Sequence, residues 1–216
     1  MPEARTRASL LAVGLVALAA AGCGGSKQAA KLDAHGCLPV DAPSPTERSE
    51  SKPTEKLDPS KRYDVTLDTN CGSFTVRLAV PTSPNTTASF ANLVRKHFFD
   101  GTVFHRIVPG FVIQGGDPTQ RGDGGPGYST VDKPPAGTTY PHGLVAMAKT
   151  QIEPPGTAGS QFFVVTAKDA GLPPDYAVLG RVVKGLPVVD RIGTLGDANE
   201  QPTETVEIQH ATLQTS

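Results

Sequence analysis

Apolar and polar residues alternate in two short runs, Tyr63, Val65 and Leu67, then Phe74, Val76 and Leu78. A period of two marks strands with one buried face. The residues between them, Thr69-Asn70-Cys71-Gly72, are turn formers, so the spacing predicts an opening β-hairpin. The period then changes. In ASFANLVRKHFF, Phe90, Leu93, Val94 and His97 recur at helical spacing, with Asn85 or Thr86 placed to cap the start and Asp100-Gly101 to end the helix. A second short helix is predicted over residues 186–192 (LPVVDRI), and a last strand over 205–212 (TVEIQHAT). Between them lie short apolar runs broken by Gly and Pro: FHRIVPGFVIQGGD (104–117), GSQFFVVT (159–166) and AVLGRVVKG (177–185). Many short strands with two isolated helices predict a mainly β domain, a closed barrel with helical lids rather than a βαβ sheet.

Before residue 61 neither period is present. Arg5 and Arg7 precede an apolar run over residues 10–21, too short for a membrane span but suited to a signal-peptide core. The run ends in Ala20-Ala21-Gly22-Cys23, which resembles a bacterial lipobox. That resemblance implies a signal peptide over 1–22, diacylglycerol on the Cys23 thiol, and an extracytoplasmic domain anchored to the outer face of the bacterial cell membrane. Residues 41–60 (DAPSPTERSESKPTEKLDPS) are rich in Pro, Ser, Glu and Lys and lack apolar periodicity. Residues 23–60 are therefore read as a lipidated N-terminus with a flexible linker, and 61–216 as the domain. With Cys23 acylated, Cys37 and Cys71 form an even pair. Outside the cytoplasm they are expected to form a disulfide, the competing reading being two free thiols.

The composition narrows the function. Among 216 residues, 20 Lys and Arg oppose 21 Asp and Glu, so there is no basic excess to neutralise nucleic-acid phosphates. The five His (35, 97, 105, 142 and 210) are scattered without metal-ligand spacing, and there is no Cys-x-x-Cys. Residues 122–127 formally match G-x-G-x-x-G, but Pro126 and the lack of a following helical pattern remove the dipole that would hold a pyrophosphate. No G-x-S-x-G elbow occurs. What remains is a lone cation, Arg106, and an amide, Gln114, embedded in apolar strand sequence on either side of a Pro109-Gly110 bend. A guanidinium on an apolar shelf is costly unless it is paired or used.

The segments FHRIVPGFVIQGGD, GLVAMAK, GSQFFVVT and YAVLGRVVKGLPVVDRI, in this order, resemble the cyclophilin-type peptidyl-prolyl isomerases over residues 64–213. The resemblance implies a closed eight-stranded antiparallel β-barrel capped by two α-helices. It also implies a monomer that binds X-Pro polypeptides in an open groove, with neither metal nor organic cofactor. By the same resemblance Arg106 is the catalytic arginine and Gln114 hydrogen-bonds the substrate backbone. Phe111, Val112 and Phe163 line a proline pocket, with Leu172 at its rim and Tyr176 where many relatives carry His. Gln161 and the backbone at Ala148 and Lys149 steady the peptide, while His105 and Gly115-Gly116-Asp117 are structural. The chain departs from the family pattern at Gly171, where a Trp is frequent, at Val112 and Lys149, and in a longer loop over 150–158. A non-catalytic peptide-binding or chaperone module, or a scaffold at the membrane surface, are the alternatives; Arg106 favours the enzyme, since a pure binder has no need of it.

Overall fold

The computed structural model describes Met1 and residues 31–216. The signal segment and Cys23 lie outside the described residues. Eleven strands and two helices follow in the order β1 (Tyr63–Thr69), β2 (Gly72–Leu78), α1 (Pro84–Arg95), β3 (Thr102–Val103), β4 (Arg106–Val108), β5 (Val112–Gly115), β6 (Thr130–Val131), β7 (Leu144–Met147), β8 (Thr157–Ala158), β9 (Phe162–Val165), β10 (Val178–Lys184), α2 (Leu186–Ile192) and β11 (Glu207–Thr215). Nine of the strands form one antiparallel sheet, ordered β3-β11-β1-β2-β10-β7-β9-β5-β4, and β6 pairs with β8 apart from it. The predicted hairpin is β1–β2, with Thr69 opposite Gly72 across the turn.

The sheet curls into the predicted barrel. Its two edges, β3 and β4, are separated in the chain only by Phe104 and His105. Counted as one bent strand they reduce nine strands to eight, and that strand pairs with β11 at one end and β5 at the other. A further antiparallel bridge joins Val103 to Asp117. Phe74, Phe90, Phe99, Phe104 and Phe162 fill the interior and are fully buried. Phe162 stands edge-on to both Phe90 and Phe104, with ring centroids 5.6 and 5.9 Å away. Its neighbour Phe163 points the other way, into a second apolar cluster outside the barrel with Val112, Tyr140, Leu144, Ala146 and Val165. Strand periodicity thus sends alternate residues of β9 to the core and to an outer shelf.

The two helices close the barrel. α2 occupies the predicted residues, but α1 begins and ends earlier than its sequence suggests. Ser83 is its N-cap without a side-chain hydrogen bond, and Pro84 opens the first turn. The capping role expected of Asn85 or Thr86 falls to Asp132, whose carboxylate accepts from the Thr86 amide (2.6 Å) and the Asn85 side chain (2.7 Å). At the other end His97 takes a left-handed conformation, φ 55°, and Phe98 N–H reaches back to Leu93 O. These bonds stop the helix before Asp100.

Residues 31–60, expected to be a flexible linker, instead form a strap laid on the barrel. They have no regular secondary structure, yet Cys37 and Leu57 are buried. A disulfide joins Cys37 to Cys71 in the β1–β2 turn. The amides of Leu38, Thr46 and Glu50 donate to the carbonyls of Asn70, Pro118 and Pro126. Gln120 donates to Pro43 O (2.6 Å), Lys52 to Ser129 O (2.9 Å), and Arg48 to Phe98 O with its guanidinium over the Phe98 ring. Backbone partners scattered over distant loops supply the order that the strap's own composition cannot.

The disulfide closes a 34-residue separation, so replacing both cysteines by Ser is expected to lower unfolding free energy by about 3–4 kcal/mol. Urea melts of the two proteins measure this; coincident curves would mean that hydrogen bonds alone hold the strap.

Candidate active site

Arg106 and Gln114 face each other across the β4–β5 hairpin, because Pro109-Gly110 lies in its turn and the register pairs Ile107 with Ile113 and Val108 with Val112. Ile107 and Ile113 are fully buried in the barrel, which leaves Arg106 and Gln114 on the outer face. The register continues across the sheet: Gln114 lies opposite Phe163 on β9, Phe163 opposite Ala146 on β7, and Ala146 opposite Val178 on β10. A single outward row therefore runs over five strands, polar at the β4 end and apolar beyond.

The polar end is a continuous hydrogen-bonded line. Arg106 Nη1 donates to Gln114 Oε1 at 3.3 Å, Gln114 Nε2 to Gln161 Oε1 at 3.1 Å, and Gln161 Nε2 to Gly124 O at 3.0 Å. On the other side Arg106 Nε donates to Glu200 Oε2 at 2.6 Å. The arginine side chain keeps 33% of its surface exposed. Beside it opens a cavity of about 290 Å³ walled by Phe111, Val112, Phe163, Leu172 and Tyr176, and lined as well by Gln114, Ala148 and Lys149. Phe163 meets Tyr176 edge to face, centroids 5.5 Å apart. Tyr176 is in turn clamped by buried Tyr140, whose hydroxyl donates to Tyr176 O (2.8 Å) and accepts from Tyr176 N–H (3.0 Å). Burial pushes the Tyr140 phenol above its ordinary range, so it stays a donor.

A smaller cavity of about 180 Å³ adjoins the first and shares Gln114, Ala148, Lys149 and Thr150 with it; Gln161 lines only this second cavity. Lys149 lines both. Its ammonium lies 5.5 Å from the Tyr176 ring centroid and donates to the carbonyls of Thr150 (3.1 Å) and Glu153 (3.2 Å). Every residue that the sequence marks as catalytic or substrate-binding thus lines one of two joined cavities. Several residues at this surface escaped the sequence reading, among them Asp123, Gly124 and Ser160 of the second cavity. Thr150 and Gln151 belong to the longer loop. Glu200 comes from 94 positions away in the chain, with no local pattern to announce it.

The wall carrying Gly124 is fixed by Asp117. This carboxylate is fully buried, and it accepts from the Thr119 amide and hydroxyl and from the amides of Gly122 and Gly124. Burial alone would raise its pKa, but these bonds outweigh that and hold it below the usual carboxylate range. The Gly-rich residues 122–127 form this wall, and no helix follows them. His105 lies behind Arg106 with both ring nitrogens buried and without a hydrogen-bond partner, and burial lowers its pKa.

Residues 64–213 match the family described as cyclophilin type peptidyl-prolyl cis-trans isomerase/CLD. The chain belongs to the cyclophilin family. Among its curated relatives, a peptidyl-prolyl cis-trans isomerase of Arabidopsis thaliana is 37% identical over 150 residues, covering 67% of this chain and 90% of that protein. Peptidyl-prolyl cis-trans isomerase A of Mycobacterium tuberculosis is 38% identical over 169 residues, covering 69% and 91%. Among solved cyclophilin structures, a cyclophilin type isomerase of Cryptosporidium parvum superposes with a TM-score of 0.65 at 27% identity, over 71% of this chain and 98% of that one. The same protein in the presence of the dipeptide Ala-Pro gives 0.64 over 70% and 98%. The cyclophilin match begins at residue 64, so the strap lies before it.

Asp117→Asn is expected to cost about 1.5–3 kcal/mol at neutral pH, the scale of hydrogen bonds to a charged group. The sign follows from the depressed pKa. The carboxylate stabilises the fold above its unfolded value of about 3.9, and that contribution is lost as pH falls through the lower folded value. Wild type and variant should therefore differ by a constant amount above about pH 5 and converge in strong acid. Unfolding measured from pH 7 to pH 2 checks this, and a gap that widens in acid would contradict it.

Proposed function

We propose that Arg106 drives the isomerisation, that the cavity beside it holds the proline ring, and that the enzyme works outside the cytoplasm on a lipid anchor at Cys23. Rotation about an X-Pro bond faces a barrier of about 18–20 kcal/mol, because resonance gives the C–N bond double-bond character. In the twisted transition state that resonance is lost, and the proline nitrogen becomes pyramidal with a lone pair free to accept. A donor placed there binds the twisted state better than either planar isomer, which lowers the barrier.

The observation that carries this reading is the position of one guanidinium at the mouth of an apolar pocket. Of the five N–H groups of an arginine, Glu200 and Gln114 engage two of those on Arg106, which leaves donors for the pocket side. Phe111, Val112 and Phe163 offer the ring an apolar wall in the cavity of about 290 Å³. Gln114, itself braced by Gln161, is placed to hold the peptide backbone so that the flanking carbonyl swings. The chemistry calls for no nucleophile, proton relay or metal. The Cryptosporidium cyclophilin's dipeptide supports a proline-containing substrate here as well.

The setting rests on the sequence before the strap. Arg5, Arg7, the apolar run and Cys23 support export and acylation, and the Cys37–Cys71 disulfide supports an oxidising compartment. Isomerisation without a catalyst takes tens to hundreds of seconds, a delay that matters to proteins folding after export.

The full chain in detergent is expected to accelerate cis–trans exchange of a short X-Pro peptide in a protease-coupled or NMR exchange assay. Arg106→Ala should lose about 10²–10³-fold in kcat/KM with its amide spectrum intact. A folded wild type that binds peptide without accelerating exchange would make the groove a binding module instead.

A further inference from the structure

We propose that Glu200 is a positioning residue for Arg106, held on a purpose-built loop so that the guanidinium presents its remaining donors to the twisted peptide bond; this rests on Arg106 being the catalytic group. The contact is close and directional, Arg106 Nε to Glu200 Oε2 at 2.6 Å. Two fixed points define the orientation of a planar group. Glu200 holds the Nε edge and Gln114 holds Nη1, so the guanidinium plane can no longer turn about its own stem. Gln114 alone, at 3.3 Å, would leave that rotation open.

The loop that delivers Glu200 is expensive in conformation. Glu200 has φ 64°, the left-handed region that a non-glycine residue seldom occupies. The loop is pinned nonetheless. Gly196 bridges to Pro202, Thr203 N–H donates to Leu195 O, and the Asp197 carboxylate accepts from the amides of Asn199 and Gln201. It is then docked on the strand that carries the arginine. Ile107 N–H donates to Glu200 O at 3.0 Å, and a Cβ on Gly196 would stand only 2.2 Å from Ile107 O. An unfavourable backbone conformation kept at the tip of a braced loop, with its side chain on the one guanidinium of the site, points to a role for that side chain.

The carboxylate acts on Arg106 in two opposing ways. Its negative charge weakens the guanidinium as a donor, while its hydrogen bond fixes the direction of the other N–H groups. Glu200 is about half exposed, so water screens the charge, whereas a misdirected N–H loses its bond steeply. Orientation therefore dominates.

Glu200→Gly separates the roles, because glycine accepts the left-handed backbone and removes only the side chain. In the full chain this variant should melt at or above the wild-type temperature, yet lose about tenfold in kcat with KM within about twofold. Glu200→Gln, which keeps an acceptor of the same reach, should regain most of the rate. The Arg106 Nε–Hε resonance should exchange slowly with water in wild type and Glu200→Gln, and quickly in Glu200→Gly. A Glu200→Gly enzyme with wild-type kcat, or one impaired only in KM, overturns the proposal while leaving Arg106 catalytic if Arg106→Ala is inactive. An active Arg106→Ala overturns both together.

Discussion

A curled sheet must do something with its two outer strands, since each presents a row of unpaired amides and carbonyls. Here the two edges are consecutive pieces of one strand, bent at Phe104-His105, so closure is written into the covalent chain. The bend sends the Phe104 ring into the core and leaves Arg106 on the outer face, where it begins the polar end of the site. Partner, register and facing of Arg106 all follow from the way the strand shifts from β11 to β5. The surface that carries Arg106 is a by-product of closing the barrel.

Across that surface the division of labour is set by period two. Phe162 and Val164 pack inside while Phe163 and Val165 stand outside, so one four-residue strand serves both core and groove. Core packing and the wall of the cavity are thereby coupled at β9, where any change in register would exchange the two sets. The polar residues are insulated from this constraint. Gln114, Gln161 and the Gly124 carbonyl tie β5, the start of β9 and the Gly-rich wall together through side chains.

Much of this was legible in the sequence because it is local. The hairpin and the second helix follow from spacing, and so does the shared face of Arg106 and Gln114, which stand eight positions apart across a Pro-Gly bend. The resemblance carried by FHRIVPGFVIQGGD and GSQFFVVT located the pocket walls. What escaped is what depends on distant partners. The first turn of α1 is held by Asp132, far along the chain, and no reading of PNTTASF alone finds that partner. Glu200 lies in a loop with neither strand nor helix period, and its significance exists only once β4 is beside it. The strap misled for a related reason. Its composition is that of a disordered linker, and its order is borrowed from carbonyls of loops around the barrel and from one covalent bond to the first turn.

That bond also sets a leash. A freely moving linker up to residue 60 would let a lipid-anchored domain roam far from the bilayer. With Cys37 bound to the barrel, it stands only fourteen steps along the chain from Cys23, and at about 3.3–3.6 Å per residue the fully stretched chain reaches about 50 Å. With Cys23 acylated, the domain is confined to a shell about one to two protein diameters deep. A catalyst so placed would meet chains as they emerge at the membrane surface, and would rarely meet those that have already diffused away.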